Sequence, residues 1–178
     1  MENKVIKSDK INPKLKYEIM KIPGGQNLLK CFACGTCTVS CPVWQDDPTF
    51  NPRQIVRKII IGLEEDLLSD DRIWYCTTCY DCYERCPQDV KITELIMALK
   101  NYAVTKGVIH EAFTAQVTEI FKFGRLYEVD EFFNKKRSQL GLPELNSESQ
   151  DVKKIYSETK LEEYVDKSNL QNKSEGEK

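Results

Sequence analysis

All eight cysteines of this 178-residue chain lie in two runs that share one spacing. In each run, two residues separate the first three cysteines, three residues separate the third from the fourth, and a proline follows. The runs are Cys31, Cys34, Cys37 and Cys41, and then Cys76, Cys79, Cys82 and Cys86. Because cysteine thiolates are ligands for zinc and for the iron of iron–sulfur clusters, the pattern indicates metal binding.

The spacing C-x2-C-x2-C-x3-C-P is the one that bacterial proteins use for 4Fe–4S clusters, and in two-cluster proteins the fourth cysteine ligates the other cluster. Three thiolates two residues apart can reach three irons of one cube, so the fourth iron needs a ligand from elsewhere. The proline fixes φ and turns the chain away after the fourth cysteine. We therefore predict two 4Fe–4S clusters with exchanged ligands, the first held by Cys31, Cys34, Cys37 and Cys86 and the second by Cys76, Cys79, Cys82 and Cys41.

Two structural zinc sites are the alternative interpretation, because zinc also accepts four thiolates. Zinc sites usually pair two C-x2-C units across a longer insert. Here each run places four cysteines and a proline within twelve residues. The spacing therefore favours iron–sulfur clusters over zinc.

Charge and hydropathy narrow the partners and the compartment. The net charge is −2 and the pI is about 5.6, with lysine and glutamate scattered along the chain, which disfavours a nucleic-acid partner. The N-terminal residues contain no apolar signal segment, and no run of about 18 apolar residues is present. We expect a cytoplasmic protein with no membrane partner, in which reduced thiols bind metal rather than form disulfides.

Amphipathic helices are predicted after both cysteine runs. Asn51, which a proline follows, predicts an N-cap, and Gly62 predicts the end of that helix. After the second run, apolar residues recur at helical spacing, with Asp89 or Thr93 as the cap and Gly107 as the stop. Each cysteine run and the helix after it thus form one unit of an internal repeat.

Another Asn-Pro pair stands near the start of the chain. Asn12 and Pro13 predict the N-cap and first residue of a helix that continues to about Ile22, where a Pro-Gly-Gly stretch ends it.

No convincing strand pattern is present, so the fold class is predicted to be all-α. Between about Leu15 and Lys106 the chain resembles the α-helical ferredoxin fold. We expect an α-helical ferredoxin domain with two 4Fe–4S clusters over residues 1–107 and a helical extension over 108–145. Residues 146–178 are expected to form an extended polar tail that is either disordered or docks on a partner.

No catalytic residue is predicted. His110 is the only histidine, and no cysteine remains outside the cluster ligands to act as a nucleophile beside it. No glycine-rich nucleotide or flavin motif is present either, so no cofactor-binding residues are expected beyond the cluster ligands.

The residues between the cysteines differ in the two runs. Small residues, Ala33, Gly35 and Thr36, let backbone N–H groups approach the sulfurs of the first cluster, which helps to set its reduction potential. The second run carries Asp81 and Glu84 instead. We expect the second cluster to be harder to reduce if these carboxylates are ionised and close to it.

Five features together resemble the C subunit of heterodisulfide reductase: the runs CFACGTCTVSCP and CTTCYDCYERCP, the helices NPRQIVRKIIIG and ITELIMALKNYAV, and the short GLP break. The resemblance covers roughly Asn27 to Leu145, and none of the eight ligand positions departs from it.

The resemblance implies a non-catalytic electron-transfer subunit of an oxidoreductase. In that family, the C subunit relays single electrons from a flavin- and cluster-containing A subunit to a B subunit. The noncubane clusters of the B subunit reduce the disulfide of coenzyme M and coenzyme B in methanogenesis. A hydrogenase or a formate dehydrogenase supplies the electrons to the flavin in the cytoplasmic form.

Two other functions stay open at this point. One is an iron–sulfur relay in a related complex of sulfur oxidation, acetogenesis or fumarate reduction. The other is a free two-cluster ferredoxin that diffuses between enzymes. The extension after Gly107 is more chain than two clusters require, which disfavours the free ferredoxin.

Overall fold

A computed structural model of the chain describes residues 8–146, 148–161 and 163. Within these residues the protein is helical and has no strand, so the all-α prediction is confirmed. The α-helices are α1 (Leu15–Lys21), α2 (Thr36–Val39), α3 (Pro42–Asp46), α4 (Pro52–Ile61), α5 (Glu64–Leu68), α6 (Asp81–Glu84), α7 (Ile92–Thr105), α8 (Glu111–Phe123), α9 (Glu131–Gln139) and α10 (Gln150–Thr159). The chain divides into two compact units, Met1–Val108 and Ile109–Lys178.

The core of the first unit forms where α1 and α4 pack together and α7 packs against α1. The large side chains of these three helices that are fully excluded from solvent are Leu15, Ile19, Ile59, Leu95 and Leu99. Burial of a leucine or isoleucine contributes about 1.5–3 kcal/mol relative to exposure. The core therefore gives the cysteine loops a rigid support.

The start of α1 differs from the prediction. The helix begins at Leu15 rather than at Pro13, and Asn12 forms a turn instead of the N-cap. The side-chain oxygen of Asn12 accepts a hydrogen bond from the N–H of Lys14 at 3.0 Å, and its own N–H donates to the carbonyl of Gly62 at 2.8 Å. This long-range bond, which sequence periodicity does not report, joins the residues before α1 to the end of α4.

Both predicted ends of α4 are confirmed. The side chain of Asn51 accepts a hydrogen bond from the N–H of Gln54, Pro52 is the first helical residue, and Gly62 ends the helix at φ 93°. The predicted cap of α7 is wrong. Lys91 occupies the N-cap position at φ 60° with no side-chain cap, and Thr93 lies buried in the first turn.

Tyr102 on α7 connects the helices of this core through its hydroxyl. The hydroxyl lies 2.7 Å from a carboxylate oxygen of Glu18 on α1 and 2.7 Å from one of Glu64 on α5. Burial, together with both hydrogen bonds, raises the pKa of Tyr102, so the phenol stays a donor. Burial also raises the pKa of Glu64, but hydrogen bonds from Tyr102 and Asn12 and the nearby Lys106 ammonium outweigh it and lower the pKa overall.

We expect Tyr102→Phe to destabilise the first unit by about 1.5–3 kcal/mol, because a hydrogen bond to a charged acceptor is lost. Tyr156→Phe in the second unit is the matched control, since the Tyr156 hydroxyl donates to the neutral carbonyl of Val117. The control should cost only about 1 kcal/mol. Thermal unfolding followed by circular dichroism under anoxia measures both, and equal losses in the two variants would contradict the expectation.

The second unit contains α8, α9 and α10. His110 is the N-cap of α8, where its Nδ1 accepts a hydrogen bond from the N–H of Ala112 at 3.1 Å. The rings of Phe121 and Tyr156 lie 5.4 Å apart, so α10 packs on α8. Because Tyr156 is buried, the part of the polar segment that forms α10 is anchored. Most of the remaining predicted tail, residues 164–178, lies outside the described residues.

None of the helices in the described part of the chain has the length and apolar character needed to cross a membrane.

Candidate iron–sulfur cluster sites

The two cysteine loops have the same backbone path. In the first run, Ala33 and Gly35 adopt left-handed conformations at φ 61° and 92° before α2 begins. In the second run, Thr78 and Tyr80 occupy the same positions at φ 54° and 65° before α6 begins. Residues other than glycine rarely adopt positive φ. The repeated conformation therefore indicates that both loops enclose the same kind of ligand.

The first cavity lies inside the first loop. It has about 320 Å³ of free space, counting its mouth, and four cysteines line it: Cys31, Cys34, Cys37 and Cys86. Apolar side chains such as Phe32, Val90 and Ile92 form much of the remaining wall, and Arg53 lies at the same cavity.

The second cavity lies inside the second loop and repeats this arrangement. It has about 290 Å³ of free space, counting its mouth, and its cysteines are Cys41, Cys76, Cys79 and Cys82. Its other walls include Phe50, Ile96 and Thr93. Each cavity thus combines three cysteines of one run with the fourth of the other, which is the grouping that an exchange of ligands requires.

Hydrogen bonds outside the cavities hold the two halves in this arrangement. The side-chain amide of Asn27, just before the first run, donates to the carbonyl of Asp89, just after the second, at 2.8 Å. The hydroxyl of Thr38 on α2 donates to the side chain of Asn51 at 2.9 Å and accepts from the N–H of Arg53 at 3.1 Å. The Asn27 bond and the packing of α2 on α6 join the two halves beside Cys86, whereas the Thr38 bonds fix α2 to the start of α4 within the first half.

Several sulfurs have hydrogen-bond partners within the fold. In the first cavity, the N–H of Ala33 donates to the sulfur of Cys31 and the N–H of Val90 donates to the sulfur of Cys86, both at 3.4 Å. In the second, the hydroxyl of Thr93 lies 3.4 Å from the sulfur of Cys82. Donors of this kind stabilise negative charge on sulfur and tune the potential of a bound cluster.

The thiols differ in burial, and Cys31, Cys76 and Cys86 are half-buried. Cys37, Cys41 and Cys82 are buried, whereas Cys34 and Cys79 are exposed. Burial raises the pKa of Cys37 to about 11 and also raises the pKa values of Cys41 and Cys82. Because metal ligation requires the thiolate form, cluster binding has to displace these protons.

The residues fit a 4Fe–4S group in both cavities. Each cavity offers the four thiols that a cluster needs, a largely apolar wall that excludes water, and a hydrogen-bond donor beside at least one sulfur. The donor set is the one that such clusters take.

Charged side chains surround the two cavities differently. In the second run, Asp81 forms an ion pair with Arg85 at 3.4 Å, and Glu84 is exposed. Lys100 on α7 is only 9% exposed, and its ammonium donates to the carbonyls of Cys76 at 3.2 Å and Trp74 at 3.4 Å. Burial lowers the pKa of Lys100, and the Cys76 thiolate opposes that shift.

Sequence reasoning missed Lys100, although a signal was present. Lys100 lies four residues after Ile96 and seven after Thr93, so it continues the face of α7 that lines the second cavity. A lysine on a buried face is unusual and indicates a partner or a role.

Comparison with known proteins places the cysteine loops in a described family. Residues 27–90 match the family described as "4Fe-4S dicluster domain". This match, together with the eight cysteines, shows that the chain binds two 4Fe–4S clusters, as the spacing predicted.

Curated relatives extend the similarity over most of the chain. The chain is 40% identical over 166 residues to the iron–sulfur C subunit 2 of a CoB–CoM heterodisulfide reductase of Methanocaldococcus jannaschii, covering 89% of this chain and 86% of that protein. It is 38% identical over 144 residues to the C subunit of the H2:CoB–CoM heterodisulfide, ferredoxin reductase of Methanothermobacter thermautotrophicus, covering 81% and 77%. It is also 36% identical over 147 residues to the C2 subunit of the H2/formate:CoB–CoM heterodisulfide, ferredoxin reductase of Methanococcus maripaludis, covering 79% of each.

Proposed function

Because this chain belongs to the family of heterodisulfide reductase C subunits, which are iron–sulfur subunits of an oxidoreductase complex, we propose that it relays single electrons within such a complex. The electrons come from a flavin- and cluster-containing A-type subunit. They leave to a B-type subunit whose noncubane clusters reduce the coenzyme M–coenzyme B heterodisulfide. The observation that carries the proposal is the pair of four-cysteine cavities joined by exchanged cysteines.

The proposed ligands are those of the two cavities. Cys31, Cys34 and Cys37 would hold the first cluster together with Cys86, and the remaining four cysteines would hold the second. The clusters supply the one-electron chemistry when they are bound. The chain itself holds them side by side, surrounds them with apolar walls and directs N–H and hydroxyl groups at the sulfurs.

The subunit is non-catalytic in this proposal. All eight cysteines line the two cavities, and His110 accepts a backbone hydrogen bond as the N-cap of α8, which is a structural role. Disulfide reduction then takes place on another chain. The name of the Methanocaldococcus relative assigns the heterodisulfide to the whole reductase and iron and sulfur to the C subunit.

A free two-cluster ferredoxin is the weaker interpretation. The second unit, with α8, α9 and α10, adds about two fifths of the chain beyond the unit that contains both cavities. Such an addition is expected in a subunit that docks on partners, and the similarity to named subunits covers 89% of the chain in one relative.

Anoxic co-purification tests the relay. We expect tagged protein from its native cells to bring down a flavoprotein and a cysteine-rich subunit. In that preparation, the clusters should be reduced through the flavoprotein and reoxidised on addition of the coenzyme M–coenzyme B heterodisulfide, as followed by EPR. Recovery of a lone chain whose clusters the heterodisulfide does not reoxidise would contradict the proposal. Reoxidation by a different disulfide or sulfur compound alone would indicate the related complexes instead.

A further inference from the structure

Helix α7 directs one face towards the residues of the second cavity. Thr93 and Ile96 line the cavity, and Lys100 follows one turn later on the same face. The ammonium of Lys100 donates to the carbonyl of Cys76, the first cysteine of the second run, at 3.2 Å. A buried positive charge therefore lies against the backbone of a cysteine that lines the second cavity.

The surroundings of Lys100 hold this charge in place. Its second acceptor is the carbonyl of Trp74 at 3.4 Å, and its ammonium lies 5.9 Å from the centroid of the Trp74 ring. Carbonyls and an aromatic ring both attract a cation, so these contacts fix the position of the ammonium. With 9% of its surface exposed, Lys100 is also poorly screened by water.

The internal repeat allows Lys100 on α7 to be compared with the equivalent residue on α4. Pro52, the first residue of α4, lines the second cavity together with Cys41, the fourth cysteine of the first run. Ile92, the first residue of α7, lines the first cavity together with Cys86, the fourth cysteine of the second run, so the two helix starts are equivalent. The next pair agrees, since Arg53 lines the first cavity and Thr93 lines the second.

The residues of each pair are forty positions apart in the sequence, and the same offset makes Ile60 of α4 the counterpart of Lys100 of α7. Ile60 is an apolar residue packed on the core. The chain thus carries a buried cation at one of two equivalent positions and an aliphatic side chain at the other.

We propose that Lys100 raises the reduction potential of the cluster in the second cavity relative to the cluster in the first. The inference rests on the proposed ligand set, because it takes Cys76 as a ligand of the second cluster. A 4Fe–4S core with four thiolates is anionic, and one-electron reduction makes it more so. A nearby buried ammonium therefore stabilises the reduced state more than the oxidised state.

Arg53 at the first cavity does not offer the same effect. Its side chain is exposed, so water screens its charge. Loss of the Lys100 charge should change the reduction equilibrium of the second cluster roughly tenfold, given the protein's effective dielectric. Tenfold corresponds to about 59 mV for a one-electron couple.

The test is an EPR-monitored redox titration of the full chain, purified anoxically, with iron and sulfide measured in each sample. In Lys100→Met one of the two midpoint potentials should fall by about 59 mV, the equivalent of a tenfold change, while the other stays unchanged. Lys100→Gln, which keeps a donor for the Cys76 carbonyl, provides the same measurement if the methionine variant loses its cluster. Lys100→Arg keeps the charge and should retain the wild-type midpoints.

The affected cluster is identified by repeating Lys100→Met in chains that keep a single cluster. The midpoint should fall in the Cys86→Ser background, which keeps the second cluster, and not in the Cys41→Ser background. Lys106→Gln, which removes an exposed charge from the C-cap of the same helix, is the matched control and should move neither midpoint.

Unchanged midpoints in a two-cluster Lys100→Met protein would overturn the inference and leave the proposed function intact. Equal shifts of both midpoints, or the same shift in Lys100→Arg, would overturn it as well. If wild-type protein lacks a second cluster on the iron and sulfide measurements, the proposed ligand set fails instead.

Discussion

Serine in place of Cys86 is expected to leave the same surviving cluster as serine in place of Cys31, although Cys86 belongs to the other cysteine run. Both residues line the first cavity, so either substitution removes one of its four thiols. Cys41→Ser and Cys76→Ser form the second matched pair, because both residues line the second cavity. Each variant should keep about half of the iron and sulfide of the wild type, since one of two 4Fe–4S clusters is lost.

The pairing of the spectra is the decisive measurement. EPR spectra and midpoint potentials should coincide for the Cys86 and Cys31 variants and for the Cys41 and Cys76 variants. If each run held its own cluster, the Cys41 variant would instead match the Cys31 variant. Retention of two zinc ions without sulfide in the wild type would remove the basis of the experiment altogether.

The cysteine chemistry could be predicted from the sequence because it depends on local spacing. Two-residue gaps let one short loop present three thiols, and the known exchange of the fourth ligand supplied the pairing. The structure brings the same groups of four together, with Cys86 beside the first loop and Cys41 beside the second. The helix ends at Asn51 and Gly62 were equally local and were predicted correctly.

The features that sequence reasoning missed do not leave a periodic signal. Asn12 does not begin α1; its side chain accepts the N–H of Lys14 in a turn, and its own N–H donates to Gly62, fifty residues further along the chain. Helix α7 starts at Ile92, after Lys91 in a left-handed conformation, and its N-cap residue Lys91 provides no capping side chain. Both depend on how the chain is held by the rest of the first unit rather than on the pattern of neighbouring residues.

Electrostatics around the second cluster shows the same limit. Asp81 and Glu84 led to the prediction that this cluster is harder to reduce, since both are visible in the second run. The structure adds an ion-pair partner for Asp81, Arg85, and the buried ammonium of Lys100. A buried charge outweighs an exposed one at a similar distance because water screens it less, so Lys100 acts against the predicted order. The redox titration described above measures which of the two clusters has the lower midpoint potential.

Gly62→Ala is expected to destabilise the first unit far more than Gly107→Ala. Both glycines are in left-handed conformations, at φ 93° and 80°, so alanine costs roughly 1 kcal/mol of strain at either position. A Cβ at Gly107 would have no neighbour within 4 Å. A Cβ at Gly62 would overlap the backbone carbonyl of Asn12, which is part of the backbone and cannot rotate away.

The substitution at Gly62 also affects the helices that support the cluster sites, through a series of hydrogen bonds that begins at Gly62. Its carbonyl accepts the N–H of Asn12, and the side chain of Asn12 donates to Glu64, one of the two carboxylates on the Tyr102 hydroxyl. Moving Asn12 away therefore disturbs the packing of α1 and α7 together, and we expect a loss of roughly 3 kcal/mol or more.

At about 4–8 °C per kcal/mol for a unit of this size, the thermal midpoint of Gly62→Ala under anoxia should fall at least twice as far as that of Gly107→Ala. Equal falls would show that α1 and α4 can separate at this point without loss. The contact between Asn12 and Gly62 would then not be needed to hold α7, which carries Thr93 and Lys100, against the second cavity.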